Sequence, residues 1–390
     1  MTSPRSVAVT VTFAWLAACH AAGESTTAPD ADLASDGPAP DGVNLGMTPL
    51  ALTCSATTQA YAPDPCPAPI AGKATFCFRP GWRGVTAVEV FGGFHQATDW
   101  TAPFLSLTND GSGTFVASVT LADGTYPYMF RVHGADDHLV RDGMFFDDQE
   151  NAAFAHAPAA SQVQRSVSVL TVPQVASPLH HVRGTVTYAG APQPCFAVSV
   201  EVGELRAPNH TVLSEHYTGN VIQLGPDGTY DFPVADGPVG VIVRYPFLLA
   251  GPAAPYPDPT VTPSIGYART SATVSGADLV LDPAEVAYPA ADYAAMSPTH
   301  GTGTLPQAFA YTMVAGAQAA SLAVIGTNIA GNDPAYWSAF GTATALSWDG
   351  TFGNGTKAVV GTKYWWGTWQ RRVGATTTWA EESLLFPITF

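Results

Sequence analysis

Acidic and histidine residues are the first candidates for chemistry in this chain. Acidic doublets stand at positions 136–137, 147–148 and 381–382, and His180 is followed by His181. A glycosidase needs two carboxylates that face each other across a bond, about 5–10 Å apart, whereas adjacent residues of a strand point to opposite faces. We therefore interpret the doublets as solvated acids of turns and the two histidines as the start of a folded segment.

Motifs for a nucleophile, a metal ion or a phosphate group are missing from the sequence. It contains no Gly-x-Ser-x-Gly turn for a hydrolase serine, and neither the His-Glu-x-x-His zinc motif nor the Gly-x-x-x-x-Gly-Lys phosphate loop. The turns at 109–111 and 225–228 do not continue as calcium loops, since no bidentate Glu follows at position twelve. We expect no enzyme, no cofactor and no metal site.

Tryptophan is concentrated near the end of the chain and could form a contact surface. Trp365 and Trp366 are adjacent, so in a strand they point to opposite faces, and Trp369 lies on the side of Trp365. Exposed indoles contact sugars or proteins, which makes Trp365 and Trp369 a candidate surface. The alternative is one tryptophan in the core and one at a domain interface. The six tryptophans of this region are Trp337, Trp348, Trp365, Trp366, Trp369 and Trp379.

The composition excludes several classes of protein. The chain has 15 basic and 31 acidic residues, for a formal net charge of −16. A nucleic-acid partner is not expected, because binding it requires a basic surface that displaces counterions. Helix surfaces usually carry many Lys and Glu residues, whereas the polar residues here are mainly Thr, Ser, Asp and Gly, which favour strands and turns. The composition therefore predicts an all-β fold.

The first residues of the chain have the pattern of an export signal. Arg5 precedes an apolar stretch at 6–18 that is too short for a good membrane-spanning helix. The stretch ends in Leu16-Ala17-Ala18-Cys19, which resembles the lipobox of bacterial lipoproteins. This resemblance implies cleavage after residue 18 and lipidation of Cys19. The alternative is ordinary secretion, with Cys19 as an incidental thiol.

The region after Cys19 predicts where the folded part would sit. Residue 20 is His rather than Asp, which in enterobacterial lipoproteins implies the outer membrane. We thus expect an exported protein of the bacterial cell envelope that several acyl chains attach to the membrane. Residues 19–50 are rich in Ala, Pro, Asp and Gly and lack aromatic residues, so they predict a flexible linker. Thirty extended residues would reach about 100 Å.

Four further cysteines suggest disulfide chemistry. An even number of cysteines in an exported chain favours disulfides, and four allow three connectivities. A zinc site would need Cys-x-x-Cys spacing, which is missing. We expect one bridge among Cys54, Cys66 and Cys77, while the remaining cysteine either pairs with Cys195 or both stay free.

Residues 51–173, here called the first segment, alternate short β runs with turns, which is typical of a β-sandwich. The predicted strands are 74–78, 87–92, 113–120, 126–132 and 166–172. Three stretches, at 87–100, 110–134 and 141–148, resemble the glycogen-binding or isoamylase N-terminal type domains, including the family-48 carbohydrate-binding modules. The resemblance is carried by Gly93, Phe94, Trp100, Leu121, Gly124, Tyr126, Tyr128, Phe130, Val132 and Gly134.

The resemblance implies a sugar site made of two exposed indoles, which stack on pyranose rings, and one lysine. Trp100 stands at the first indole position, with Tyr128 and His138 as candidate neighbours. The second indole position follows Gly134, where the sequence offers His138 but no tryptophan, and the lysine position is occupied by Met129. The aligned Trp100 favours sugar binding, whereas the missing groups favour a structural module.

The rest of the chain predicts two more β-sandwiches. Residues 178–283, the second segment, resemble a carboxypeptidase regulatory-like domain through Val182, Gly184, Val186, Tyr188, Gly190, Gly228, Tyr230, Phe232 and Val234. That family implies a spacer without catalytic residues. Residues 297–390, the third segment, loosely resemble a fibronectin type III domain through Tyr364 and Trp366.

Together these features predict three consecutive immunoglobulin-like β-sandwich domains after a lipoprotein signal and a linker. Too few residues follow the first segment for an α-amylase barrel of about 250 residues. We expect a non-catalytic envelope lipoprotein that binds glycans, with α-glucan-like polysaccharide as the preferred partner. The alternative is a structural scaffold whose tryptophan-rich third segment binds a protein partner.

Overall fold

The structure is a computed structural model that describes residues 47–49, 63–134, 142–161, 166–188, 190–192, 197–203, 216–217, 220–249, 264–285, 297–298, 302–313, 316–326, 336–382 and 386–390. Apart from one 3-10 turn at Ala159–Ser161, the regular structure in these ranges is β-strand. The all-β prediction is therefore confirmed. In the described ranges there is no helix with the length and apolarity needed to cross a membrane.

The first segment forms one sheet around a core of aromatic and aliphatic side chains. Three of its strands, β2, β3 and β9, have the predicted bounds. Strand β3 pairs antiparallel with β6, from Ala87 opposite His133 to Gly92 opposite Tyr128. The strands up to residue 173 are β1 Met47–Pro49, β2 Ala74–Phe78, β3 Ala87–Gly92, β4 Leu105–Asn109, β5 Phe115–Val119, β6 Gly124–His133, β7 Met144–Phe146, β8 Phe154–His156 and β9 Ser166–Val172.

A disulfide closes the beginning of the first segment. Cys66 is bonded to Cys77 in β2, across a sequence separation of 11 residues. This confirms the expected bridge among the first three cysteines after Cys19. The others, Cys54 and Cys195, lie outside the described residues.

The second segment packs two β-layers over a valine-rich core. In one layer β10 pairs antiparallel with β15, and in the other β12 and β17 flank β16. His180 and His181 lie inside β10 and pair with Asp236 and Asp231. The strands are β10 Leu179–Tyr188, β11 Ala191–Pro192, β12 Ala197–Val202, β13 His216–Tyr217, β14 Val221–Gln223, β15 Thr229–Ala235, β16 Gly237–Leu249, β17 Ser264–Val274, β18 Leu279–Val280 and β19 Ala284–Glu285.

The third segment continues the sheet of the second. Ala268 and Arg269 of β17 pair with Glu381 and Ala380 of β25, which gives the strand order β14-β12-β16-β17-β25-β24-β21-β22. The strands of the third segment are β20 Gln307–Ala310, β21 Ala319–Gly326, β22 Tyr336–Gly341, β23 Ala345–Trp348, β24 Lys363–Val373, β25 Thr378–Glu382 and β26 Phe386–Thr389.

A single hydrophobic core follows from this continuity. Val200 and Val241 of the second segment belong to the same buried cluster as Trp348, Tyr364 and Trp366 of the third. The second and third segments thus share both a sheet and a core. The reason is that β17 has an edge that β25 can extend.

The first segment contacts the second through backbone and side-chain bonds. Gly81 forms a parallel bridge with Ile222, and the Asn220 amide donates to the Arg79 carbonyl oxygen (2.5 Å). Val221 of β14 is buried in the core of the first segment. Strand β13 also pairs with β7. These contacts join the described parts of all three segments into one body.

Three residues of the predicted linker are also part of the fold. Met47–Pro49 form β1, which pairs antiparallel with the end of β16, with Met47 opposite Leu249. The prediction of a free linker through residue 50 is wrong for these three residues. A short extended stretch can add to an open strand edge because the edge supplies backbone hydrogen-bond partners.

Candidate functional site

The loop that carries Trp100 follows β3 and is organised by one carboxylate. Asp99 accepts backbone N–H bonds from Phe94 (3.0 Å), His95 (2.9 Å) and Gln96 (3.1 Å). Trp100 itself has a positive φ of 64°, a conformation that costs on the order of 1–3 kcal/mol for a residue with a Cβ. The loop therefore has a defined shape, with exposed side chains at His95 and Gln96.

The indole of Trp100 is buried. It is 8% exposed and packs in a cluster with Phe91, Met129, Ala157 and Val167. The expectation of an open stacking platform at Trp100 is thus corrected. The physical reason is the apolar Met129, which stands where the resemblance implies a lysine, is 1% exposed, and packs in the same cluster as the indole.

Tyr128 belongs to the interior of the first segment, so its predicted place beside a sugar is also corrected. The ring is 3% exposed and meets Phe76 and Phe130 edge-on. Its hydroxyl donates to Asp148 Oδ2 (2.6 Å) and accepts from the Asn151 amide (3.2 Å). Burial, followed by the nearby Asp148 carboxylate, raises the pKa of Tyr128 well above its ordinary value.

Polar side chains line a small cleft where the first segment meets the second. We call the set Arg79, Asp147, Asp148, Gln149, Glu150 and Asn220 the junction cluster. The cleft has room for about one water molecule, which is too small for a sugar. Arg79 pairs with Glu150 (3.0 Å), and the Gln149 carbonyl accepts from the Ala235 N–H (3.0 Å) of the second segment.

The junction cluster overturns the interpretation of the 147–148 doublet as solvated. Asp147 is 1% exposed, and burial raises the pKa of Asp148 to about 7, against the hydrogen bond from Tyr128 that lowers it. Burial also raises the pKa of Glu150, opposed by Arg79. The Asp148 carboxyl can therefore hold a proton near neutral pH. Among the described residues no group of His, Cys, Asp and Glu side chains could hold a metal ion.

The tryptophans of the third segment are mostly structural. Trp366 and Trp379 are 0% exposed, and their indole N–H groups donate to the carbonyl oxygens of Pro298 (2.7 Å) and Asp282 (2.9 Å). Trp369 is 9% exposed, so its predicted exposure is corrected. The side chain of Trp365 lies outside the described residues.

Two further predicted site residues cannot be placed. His138 and Cys19 both lie outside the described ranges. Of the predicted sugar-binding residues, Trp100 and Tyr128 are among the described residues, and they lie in separate buried clusters. The structure thus does not bring them together on a surface.

Sequence reasoning missed a carboxylate that joins the second and third segments. Asp282 Oδ2 accepts the backbone N–H groups of Thr376 and Thr377, both at 2.6 Å. These bonds, Thr376 first, lower the pKa of Asp282. Next to it, the Arg372 guanidinium donates to the Pro283 carbonyl oxygen (2.6 Å). A lone Asp in a linker-like stretch gave no sequence signal for this role.

Replacing Asp282 is expected to destabilise the protein. Asp282→Ala removes charge-assisted hydrogen bonds, so we expect the free energy of unfolding to fall by about 1.5–3 kcal/mol. Asp349→Ala is the matched control, because Asp349 accepts one N–H from Thr351 in its own turn. Urea denaturation at neutral pH measures both. Equal effects of the two variants would contradict a special role for Asp282.

Comparison with known proteins identifies no family. No family model matches the chain, and no curated protein matches it. Three solved structures show a distant likeness. A DUF3823 family protein from Parabacteroides merdae is 14% identical over 55% of this chain and 100% of that one, with a TM-score of 0.18.

The other two structures are equally distant. The maltogenic amylase from S. marinus is 16% identical over 46% of this chain and 28% of its own, with a TM-score of 0.19. The FN1–FN3 domains of chicken CNTN1 are 10% identical over 83% of this chain and 99% of theirs, with a TM-score of 0.19. With TM-scores this low no ligand or activity is inferred from them, and the all-β description rests on the strands themselves.

Proposed function

We propose that the chain is a non-catalytic, lipid-anchored protein of the bacterial cell envelope whose β-sheets form a rigid scaffold for contacts with other envelope components. The observation that carries this proposal is the continuous sheet and shared core of the second and third segments. The first segment is attached to this body through the backbone bridge of Gly81 and the hydrogen bond of Asn220. The described parts of the second and third segments would hold such contacts at fixed positions along one sheet.

The anchor is the part of the proposal that depends on the N-terminus. Leu16-Ala17-Ala18-Cys19 supports attachment through Cys19, and His20 supports the outer membrane. In bacteria fed an alkyne fatty acid, the parent chain should carry the label in the membrane fraction, and Cys19→Ser should not. Label on both chains or on neither would contradict lipidation at Cys19.

Glycan binding is kept as a second candidate because of the sequence resemblance of the first segment. Strands β3 and β6, which carry part of that resemblance, pair antiparallel, and the loop after β3 exposes His95 and Gln96. An α-glucan would have to contact this loop rather than the face of Trp100, because that indole is 8% exposed.

Affinity electrophoresis separates the two candidates. The scaffold proposal predicts equal mobility of the parent chain in gels with glycogen, with amylopectin or without polysaccharide. Retardation of the parent that is lost in a His95→Ala, Gln96→Ala double variant would overturn it in favour of glucan binding. Trp100→Ala is a poor probe, since emptying a buried tryptophan site costs about 3–5 kcal/mol of stability.

A further inference from the structure

One turn of the third segment combines exposed aliphatic side chains with lysines. The turn precedes β24 and contains Lys357, Val359, Val360 and Lys363. Val359 is 47% exposed and Val360 is 87% exposed, and both lysines are exposed. The chain has only three lysines, the third being Lys73. Two of three lysines thus flank one exposed valine pair in a chain of net charge −16.

Hydrogen bonds to the rest of the third segment hold the turn in the conformation that exposes its valines. The Val359 N–H donates to the hydroxyl of Tyr364 (2.8 Å), whose ring is 0% exposed. The Ala358 N–H donates to the Gly350 carbonyl oxygen (2.8 Å), and the Gly361 N–H donates to the carbonyl oxygen of Phe390. Backbone bonds therefore anchor the turn on both sides of the valines.

A third exposed aliphatic side chain lies beside the residue that bonds the turn. Leu305 is 42% exposed, and it packs so closely on Gly350 that a Cβ there would lie 2.5 Å from Leu305 Cδ1. Gly350 is the residue that bonds Ala358 in the turn. We call the set Leu305, Lys357, Val359, Val360 and Lys363 the lysine–valine turn.

A surface with exposed aliphatic side chains next to lysines can bind an anionic bilayer. Aliphatic groups gain free energy by entering the acyl region, and each lysine near an anionic surface adds attraction to lipid phosphates. Asp349 is the nearby acid in sequence: Thr351 bridges to Lys357, and the Asp349 carboxylate accepts the Thr351 N–H.

We infer that the lysine–valine turn is a second membrane contact, in which Val359 and Val360 enter the bilayer while Lys357 contacts anionic headgroups. This inference rests on the proposed envelope location. A linker that would reach about 100 Å when extended leaves the orientation of the folded body undetermined. The turn would supply that orientation by placing one end of the third segment against the membrane.

Vesicle flotation tests the inference independently of lipidation. The test protein is the chain from residue 19 onward with Cys19→Ser, which retains every described residue and carries no acyl chain. The vesicles are phosphatidylcholine with and without phosphatidylglycerol. We expect flotation with the anionic vesicles, about tenfold weaker for the Val359→Ser, Val360→Ser variant and about fivefold weaker for Lys357→Gln.

Two exposed positions elsewhere provide matched controls. Val175 is 84% exposed, so Val175→Ser tests the loss of an exposed valine outside the turn, and Lys73→Gln tests the loss of a lysine. Both controls should float like the parent. No flotation of the parent, or equal flotation of the turn variants and the controls, would overturn the inference. Either result would leave fatty-acid labelling at Cys19 as a separate test of the anchor.

Discussion

Gly81→Val is expected to detach the first segment from the second and to lower the free energy of unfolding by about 3 kcal/mol. A Cβ at position 81 would overlap the Val221 carbonyl oxygen and lie 2.8 Å from the Cα of Ile222. Both neighbours are backbone atoms of the large sheet, so they cannot yield as the end of a flexible side chain can. The Asn220–Arg79 hydrogen bond next to the bridge should be lost with it.

Hydrogen exchange shows where this variant opens. Amides at 79, 81, 82 and 220–224 should exchange faster in Gly81→Val, while the pairing between β17 and β25 stays protected. Gly341→Val is the control, because a Cβ at Gly341 meets no atom within 4 Å. Unchanged melting and unchanged protection in Gly81→Val would mean that the first segment does not dock as described.

Asp148→Asn is expected to remove most of the pH dependence of stability between pH 4 and pH 7. Asp148 has a pKa of about 7 in the folded protein, against 3.8 for the ordinary carboxyl. The folded state therefore holds a proton that the unfolded state has lost, so the stability of the parent falls as the pH rises through this window. We expect a loss on the order of 2–4 kcal/mol, fully developed above about pH 7. Asn has a similar shape and no charge, so it avoids this loss.

Urea denaturation at several pH values measures the effect. The Asn variant should be more stable than the parent at pH 8, and the two should converge near pH 4. Asp123→Asn is the control, because Asp123 is an exposed turn residue. Parallel profiles for the parent and Asp148→Asn, or a parent that gains stability from pH 5 to pH 7, would contradict the assignment of a buried protonated carboxyl.

Asp282→Ala acts at a different junction from Gly81→Val and Asp148→Asn, so it can be combined with either. Gly81 and Asp148 lie near the boundary between the first and second segments, whereas Asp282 binds the β24–β25 turn of the third. Effects of distant sites usually add. We therefore expect Asp282→Ala to add to either of the others, whereas Gly81→Val and Asp148→Asn share a junction and can couple.

Local sequence signals predicted the strands of the first segment well. Alternating β-branched and aromatic residues between Gly- and Asp-containing turns predicted β2, β3 and β9 with the observed bounds. The cysteine count predicted one bridge among Cys54, Cys66 and Cys77, and it joins Cys66 to Cys77. These features depend on neighbours within a few residues, which a single sequence displays directly.

Burial of the candidate site residues was not predictable in the same way. Trp100 and Tyr128 fit the family pattern, yet both are buried, because Met129 and Val167 cover the indole and Asp148 binds the phenol. The 147–148 doublet was interpreted as solvated because the sequence does not show which segment packs against it. In the structure these acids lie beside Gln149 and Asn220 instead of facing water.

From the sequence alone the all-β class, most strand positions in the first segment and one disulfide were predictable. The three-dimensional structure was needed to see that β17 and β25 join the second and third segments into one sheet. It was also needed to see that Gly81 meets Ile222 and that the lysine–valine turn is exposed. Strand formation follows local propensity and period, whereas sheet continuity and burial come from contacts between residues that are distant in the sequence. No local pattern records those contacts.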